Sequence, residues 1–433
     1  MRSIVQLISA KPFLARVFEL GRLVAITGLS QMVVQLVGFL SAILVIRMLA
    51  PTEYALYILM NTMLGTMAVL ADGGISSGVT SEGGKVWRDR EKLGVVLATG
   101  LNLRKKFGFI SLIVAIPALL FLVRTHETQW LTSLLIVLAV IVSFYSTLTG
   151  SMLQIAPKLQ QDIAPLQKNM VQANVLRLLM LGASLVFFPF AFIAVLASGL
   201  PQLWANRRLR AISLPYANWK QDSDPIVRRQ IMTFVKRLLP GSIYYCISGQ
   251  ITIWLISIFG STTALAQVGA LTRLTMVLSL FNIMVNMLII PRFARLTDNK
   301  SILLAWYMRI HFYLIAFCAI VVFAAWMFPE EVLWILGDHY KGLNYELLLS
   351  IVGSCLNLIV GINFALNASR GWLLNPVITI CLGIAGIAGG VLLLDISTLR
   401  GVLLFNIFTG VVGLFVHPLF GFLKIITKRA VYT

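Results

Sequence analysis

"NRRLRAISLPYANWKQDSDPIVRRQIMTFVK" (Asn206–Lys236) is a long, strongly charged stretch between apolar segments in this 433-residue chain. Six apolar segments precede it and six follow it, and each is close to the roughly 20 residues that a helix needs to cross a bilayer. The chain is therefore predicted to be an all-α membrane protein, with twelve transmembrane helices in two six-helix lobes around a central cavity. Its parts are an N-terminal lobe (1–205), a basic cytoplasmic connector (206–236) and a C-terminal lobe (237–433).

The predicted spans follow the apolar runs alone, and the third is preceded by a basic amphipathic stretch from Arg88 to Lys106. They are Leu23–Ile46, Tyr54–Ile75, Phe107–Val123, Trp130–Leu153, Asn169–Phe187, Phe190–Trp204, Leu238–Phe259, Leu265–Ile290, Ile310–Phe328, Leu347–Leu366, Leu373–Leu394 and Gly401–Leu423. A loose similarity between the first outer turns of the two halves indicates an internal repeat, as in many transporters.

Composition and charge support this topology. The chain is 59% hydrophobic and only 12% charged, whereas soluble domains are about 25% charged. Of its 35 Lys and Arg residues, 29 lie in alternate gaps on one side, four on the other and two within spans. The positive-inside rule therefore predicts a multi-pass membrane protein with the basic side and both termini in the cytoplasm.

The net charge of +19 is divided among many short loops that face anionic lipid, so we expect no nucleic-acid partner. The N-terminal region, with Arg2 and Lys11, is interpreted as an interfacial helix that leads into the first span and not as a cleaved signal.

No sequence pattern indicates an enzyme. All four cysteines lie in apolar runs without metal-ligand spacing, and the four histidines are scattered. The segment "SEGGK" at Ser81 lacks the spacing of a phosphate-binding loop. The outer loops are too short to hold a catalytic domain. We therefore predict a transporter or flippase without a metal or cofactor.

Ionisable residues within or at the ends of spans are the candidate functional residues, because an arginine or aspartate at the bilayer centre costs about 2.5–3.5 kcal/mol on insertion scales. Arg177 lies in the fifth span with Asn174 one turn earlier, and Arg273 lies in the eighth. Arg47 closes the first span, and Asp72 lies near the end of the second. Guanidinium groups bind phosphate in a two-pronged geometry, so these arginines predict a path for an anionic substrate.

Three of these residues also have a simpler interpretation. Arg47 would extend to lipid head groups, Arg177 would pair with backbone carbonyls, and Asp72 would be only interfacial.

Four spans also carry a stripe of small and polar residues on one helix face, which is explained either by helix packing or by a wet cavity. The stripes are Gln31, Gln35, Gly38 and Ala42; Asn61, Gly65, Ala68 and Asp72; Thr275, Ser279, Asn282 and Asn286; and Ser350, Ser354, Asn357 and Gly361. Because Arg273 lies on roughly the opposite helix face from the third stripe, we expect only one of them to face a cavity, and Arg273 is favoured.

Several motifs resemble those of bacterial polysaccharide flippases, over nearly the whole chain and in the same order. The segments are "RMLAPTEYALY" (Arg47–Tyr57), "DGGISSGV" (Asp72–Val79), "AQVGALTRL" (Ala266–Leu274) and "FPEEVLWILGDHYKG" (Phe328–Gly342). The resemblance implies the multidrug/oligosaccharidyl-lipid/polysaccharide exporter superfamily. Its members have two six-helix lobes and flip undecaprenyl-diphosphate-linked sugar repeats across the bacterial plasma (inner) membrane by alternating access.

The sequence departs from the family pattern at several positions. Ala50 and Ala55 replace usual glycines, and Leu271 replaces a tyrosine. Thr252 stands where many relatives have aspartate, next to Gln250, which weakens the case for an acidic ion-coupling site there. Gln250 joins the candidate substrate-binding residues.

The predicted function is the flipping of a lipid-linked oligosaccharide to the outer leaflet for O-antigen, capsule or exopolysaccharide synthesis. Its predicted partners are the pyrophosphate-bearing substrate, the bilayer, and the polysaccharide polymerase and chain-length machinery. The alternatives are a cation-coupled drug or toxin antiporter of the same superfamily, a membrane polymerase or ligase, and a non-transporting scaffold. The antiporter would favour buried acids over arginines.

Overall fold

The computed structural model describes residues 12–125, 129–294, 296, 297, 299–370, 372 and 374–427, and all regular structure within these ranges is helical. Ten of the described helices are long and apolar enough to cross a membrane, and a shorter apolar helix covers Val377–Leu393. One more long helix, Ala191–Ser213, ends in a basic segment. The predicted all-α fold with twelve spans is therefore confirmed, while residues 1–11 of the predicted interfacial helix lie outside the described ranges.

The twelve long helices are numbered in chain order. They are α1 (Pro12–Met48), α2 (Pro51–Asp72), α3 (Arg90–Arg124), α4 (Trp130–Leu153), α5 (Ile163–Phe187), α6 (Ala191–Ser213), α7 (Pro225–Phe259), α8 (Thr262–Leu274 and Met276–Met284), α9 (Lys300–Met327), α10 (Asn344–Ser369), α11 (Pro376–Leu393) and α12 (Leu399–Thr427). Short helices cover Ile75–Lys85, Ile155–Leu159, Ile290–Ala294 and Pro329–Trp334. We call the end of the bundle that holds the Lys- and Arg-rich gaps the basic end, and the other the opposite end.

Several helices extend well beyond their predicted spans at the basic end. Helix α3 begins at Arg90, not Phe107, and α7 begins at Pro225, not Leu238. Side-chain caps set both starts, since Asp89 accepts hydrogen bonds from the next amides of α3 and Asp224 does the same for α7. The apolar runs predicted only the part of each helix that matches the bilayer thickness.

Helix α8 is not the single continuous span predicted from Leu265 to Ile290. Thr275 separates its two α-helical parts, and a π-helical segment follows at Val285–Ile289. A π-helical turn inserts an extra residue and shifts the helical register, and such turns are frequent at functional sites.

The helices at the connector do not end and begin at the predicted division between the lobes. Residues 206–213 continue α6, and residues 225–236 form the first turns of α7. The remaining linker is docked on the N-terminal lobe, since Ala217 is fully buried and the amide of Asn218 donates to the carbonyl of Arg90 at 3.1 Å. Ile231 and Val235 of α7 are buried in the same N-terminal cluster. Helix α7 thus belongs to both lobes.

Candidate functional site

A cavity of about 1090 Å³ lies between the lobes. Helices α2 and α5 line it from the N-terminal lobe, and α7, α8, α10, α11 and α12 line most of the rest. Its lining extends from Ile58 and Gly269, near the opposite end, to Thr379 and His417, in the halves of their helices nearer the basic end. The lobes meet tightly at Ile58 and Gly269, where any side chain at 269 would collide with Ile58. The cavity is therefore closed at the opposite end and reaches toward the basic end.

Two arginines from different lobes meet in this cavity. Arg177 of α5 and Arg273 of α8 both line it, and both interact electrostatically with the hydroxyl of Tyr57 on α2. Arg273 also interacts with the buried Tyr54. The Arg177 Nε is buried without a hydrogen-bond partner. Since buried polar groups normally have partners, this atom indicates unused capacity to bind a ligand.

The cavity is cationic. Arg177 and Arg273 are the charged residues among its described lining side chains, and none of those side chains is Asp or Glu. Because no described lining side chain carries a negative charge, the electric field of the two guanidinium groups favours the binding of an anion.

Amide and hydroxyl side chains form the next layer of the lining. These polar residues are Asn61, Thr62, Ser248, Gln250, Thr252, Thr272, Thr275, Ser279, Asn282, Ser354, Asn357, Thr379, Asn406 and Thr409. Asn357 donates to Asn406 at 3.2 Å, which joins α10 to α12 across this layer. Such groups both donate and accept hydrogen bonds, as sugar hydroxyls require of a binding site.

Three of the six predicted site residues line the cavity and three lie elsewhere. Arg177, Arg273 and Gln250 are in the lining. Asn174 is outside it, and its amide donates to the Met170 carbonyl one turn back on α5. Asp72 lies outside it at the basic end, 3.4 Å from Arg104.

Arg47, the third predicted site residue outside the cavity, lies at the opposite end. Its Nε and Nη2 donate to the carbonyls of Ile335 and Trp334 at 2.9 and 2.6 Å, and its guanidinium lies 4.9 Å from the Trp334 ring centre. The arginine joins the N-terminal lobe to the short helix that precedes α10, and it does not extend to lipid head groups as the simpler interpretation expected.

The expectation that only Arg273 or the Thr275–Asn286 stripe would face a cavity is wrong. Arg273 lines the cavity together with Thr275, Ser279 and Asn282. The reason is the interruption of α8 at Thr275, which resets the helical register between Arg273 and the stripe. Sequence periodicity assumes one continuous helix, so it could not detect this change.

Of the other three stripes, two contribute residues to the cavity lining and one packs against another helix. Asn61, Ser354 and Asn357 line the cavity, whereas the stripe of α1 does not, and its Gln31 contacts the Met170 sulfur of α5 at 3.7 Å.

Helices α11 and α12 contribute lining residues that the sequence did not single out. Gly383 of α11 lies against the hydroxyl of Tyr244, so closely that any side chain at 383 would collide with it. Asn406 and His417 lie in α12, which is otherwise largely apolar. The isolated polar residues of α12 were the available signal, because a polar residue in a span usually faces a cavity or a partner.

No family model matches the sequence, and no curated protein matches it either. Solved structures do resemble the fold. An inward-facing multidrug resistance MATE family transporter of the MOP superfamily superposes with a TM-score of 0.70 at 15% identity, over 91% of this chain and 94% of that chain. An outward-facing structure of such a transporter gives 0.64 at 17% identity, over 94% and 95%.

A MOP superfamily transporter from Pyrococcus furiosus, described as having a binding pocket of reverse polarity that suggests a different function, gives a TM-score of 0.66 at 16% identity, over 94% of this chain and 96% of that chain. At these identities the likeness establishes the fold alone, the twelve-helix, two-lobe architecture that this chain shares with those structures.

Proposed function

We propose that this protein is an alternating-access transporter for a substrate with an anionic group, and that the substrate is a polyprenyl-diphosphate-linked oligosaccharide moved from the cytoplasmic to the outer leaflet. One observation carries the proposal: two arginines, one from each lobe, face a single cavity whose described lining has no acidic side chain. A substrate that bridges both guanidinium groups would couple its own binding to the relative position of the lobes.

The chemistry of the cavity supports this substrate. Arginine forks bind diphosphate oxygens through short charge-assisted hydrogen bonds. The amides of Asn282, Asn357 and Asn406 lie in the same cavity and suit sugar hydroxyls. The apolar chain of the lipid would remain in the bilayer while the head group crosses. The positive-inside rule supports a cytoplasmic basic end, with both termini on that side of the inner membrane.

The second candidate is a cation-coupled drug or toxin antiporter. The structural neighbours favour it over the flippase, because two of those compared are multidrug resistance transporters. The charge of the cavity opposes it, because a cationic drug would have to approach Arg177 and Arg273 without a described acidic partner in the lining. The two candidates therefore differ in the sign of the substrate's charge.

A deletion strain complemented with variants separates the two candidates. The deletion is expected to trap unpolymerised lipid-linked repeats on the cytoplasmic leaflet, and the wild-type gene is expected to restore surface polymer. Arg177→Gln and Arg273→Gln each remove a charged hydrogen-bond donor worth about 1.5–3 kcal/mol, so we expect polymer export to fall about tenfold or more. The sugars in the trapped repeats would identify the polymer.

Arg229→Gln is the matched control, because Arg229 is exposed near the start of α7 at the basic end and lies outside the cavity lining. Each variant must reach the membrane in wild-type amounts. Normal polymer in both cavity variants would overturn the site assignment. Greater drug sensitivity in the deletion strain, without trapped repeats, would favour the antiporter.

A further inference from the structure

A second, apolar groove of about 240 Å³ opens between α8 and α9, away from the central cavity. Phe281, Val285 and Ile289 form one wall, and the π-helical segment of α8 contributes the last two. Phe281 stacks on Phe317 of α9 with ring centres 3.8 Å apart, which joins α8 to α9 beside the groove. The groove is thus a preformed slot for a narrow apolar group.

The outer wall of the groove belongs to α9, whose neighbouring side chains face lipid. Met308, Phe312 and Tyr313 are 55%, 69% and 65% exposed, as expected for a helix face in contact with lipid. The groove is therefore reached from the bilayer.

One positive charge lies in the groove at the level of the lipid head groups. Arg309 is exposed and lines the groove beside Trp306 and Tyr313. A span of about 20 residues counted back from Met327, the last residue of α9, begins near Met308, so these three residues lie near the boundary at the basic end. Trp and Tyr are typical of this boundary. Within the described part of the chain, the Arg309 guanidinium has no hydrogen-bond or ion-pair partner.

We propose that this groove binds one anionic phospholipid of the leaflet at the basic end, with an acyl chain between α8 and α9 and the head-group phosphate on Arg309. The apolar wall matches the chain, and the unpaired guanidinium matches the phosphate. Phe281 is one turn from Leu278, which lines the central cavity, so α8 forms a wall of both sites. The proposal does not depend on what the protein transports.

Native mass spectrometry of the purified, delipidated full chain tests this proposal, with phosphatidylglycerol and zwitterionic phosphatidylcholine as probes. We expect phosphatidylglycerol to bind more tightly than phosphatidylcholine, and Arg309→Gln to weaken its binding about fivefold. Ile289→Trp, which fills the groove and keeps the charge, should weaken binding of both lipids. Arg229→Gln, which removes an exposed charge elsewhere at the basic end, should leave binding unchanged.

Equal binding of the two lipids, or unchanged phosphatidylglycerol binding in Arg309→Gln and Ile289→Trp variants that elute and melt like the wild type, would overturn the proposal. Displacement of phosphatidylglycerol by a polyprenyl phosphate at much lower concentration would also overturn it, since the groove would then be a site for an isoprenoid chain.

Discussion

Arg104 shows how a residue's partners, more than its position in the sequence, determine its role. The sequence places it among the basic residues that precede the predicted third span, yet it is only 5% exposed. Its Nη1 lies 3.4 Å from the Asp72 carboxylate and contacts the hydroxyls of Ser76 and Ser151. Asp72, a predicted substrate residue, thus forms part of a polar cluster that joins α2, α3 and α4 at the basic end.

Replacing Arg104 should therefore destabilise the N-terminal lobe. Arg104→Leu removes the charged group that contacts Asp72, Ser76 and Ser151, and a hydrogen bond that involves a charged group is worth about 1.5–3 kcal/mol. We expect a lower melting temperature in detergent, measured by tryptophan fluorescence. Lys105→Leu is the control, because Lys105 is the exposed neighbour. Equal melting temperatures for the two variants would show that the cluster contributes little to stability.

At the scale of elements, α10 and α12 pack closely through glycines. A Cβ at Gly410 would lie 2.9 Å from the Cβ of Leu356, and one at Gly413 would lie 3.0 Å from Val360. Small residues allow such close approach of membrane helices, whose association depends on packing rather than on the hydrophobic effect. Since both helices also line the cavity, their contact supports the polar layer that contains Asn357 and Asn406.

Gly410→Ala is expected to destabilise the C-terminal lobe, because overpacking typically costs about 1–3 kcal/mol. Gly361→Ala in α10 is the matched control, since nothing lies within 4 Å of a Cβ there. Both substitutions gain the same helix propensity of about 1 kcal/mol, so the difference in melting temperature isolates the packing term. A Gly410→Ala variant as stable as Gly361→Ala would mean that the helices separate without cost.

At the scale of the whole molecule, the closed opposite end defines the conformation. Arg47 of the N-terminal lobe donates to two carbonyls at the end of Pro329–Trp334 in the C-terminal lobe. The last carbonyls of a helix lack partners within it and carry partial negative charge, so they attract a guanidinium. The alternating access that we propose requires this contact to break when the opposite end opens.

Arg47→Gln should shift the equilibrium toward a form that is open at the opposite end. Loss of an exposed charged contact worth about 1 kcal/mol corresponds to about a fivefold change in population. The measurement is thiol labelling of Ser279→Cys, a cavity position, by an impermeant reagent in a background without the four native cysteines. Labelling from the opposite side should rise about fivefold and labelling from the basic side should fall; unchanged rates on both sides would exclude Arg47 as a closing contact.

Much of this architecture could be predicted from local patterns. Span number, the sidedness of the basic loops and the boundaries of α4 follow from hydropathy and charge, because the bilayer acts on each segment separately. The helices were predicted too short at the basic end where water and side-chain caps, not apolar residues, determine their ends. Arg177 and Arg273, which both line the cavity, could be singled out as candidate site residues because a charge within a span is costly wherever it lies in the fold.

The amino-acid sequence by itself determined a twelve-span membrane protein with two arginines within its spans, since the cost of placing each segment in lipid depends only on that segment. Only the tertiary structure decided which charges meet. It brought Arg177 and Arg273 together at Tyr57, paired Asp72 with Arg104, and placed Arg47 on carbonyls 287 and 288 residues away in sequence. Such contacts depend on how helices pack and where α8 breaks, and no local pattern contains that information.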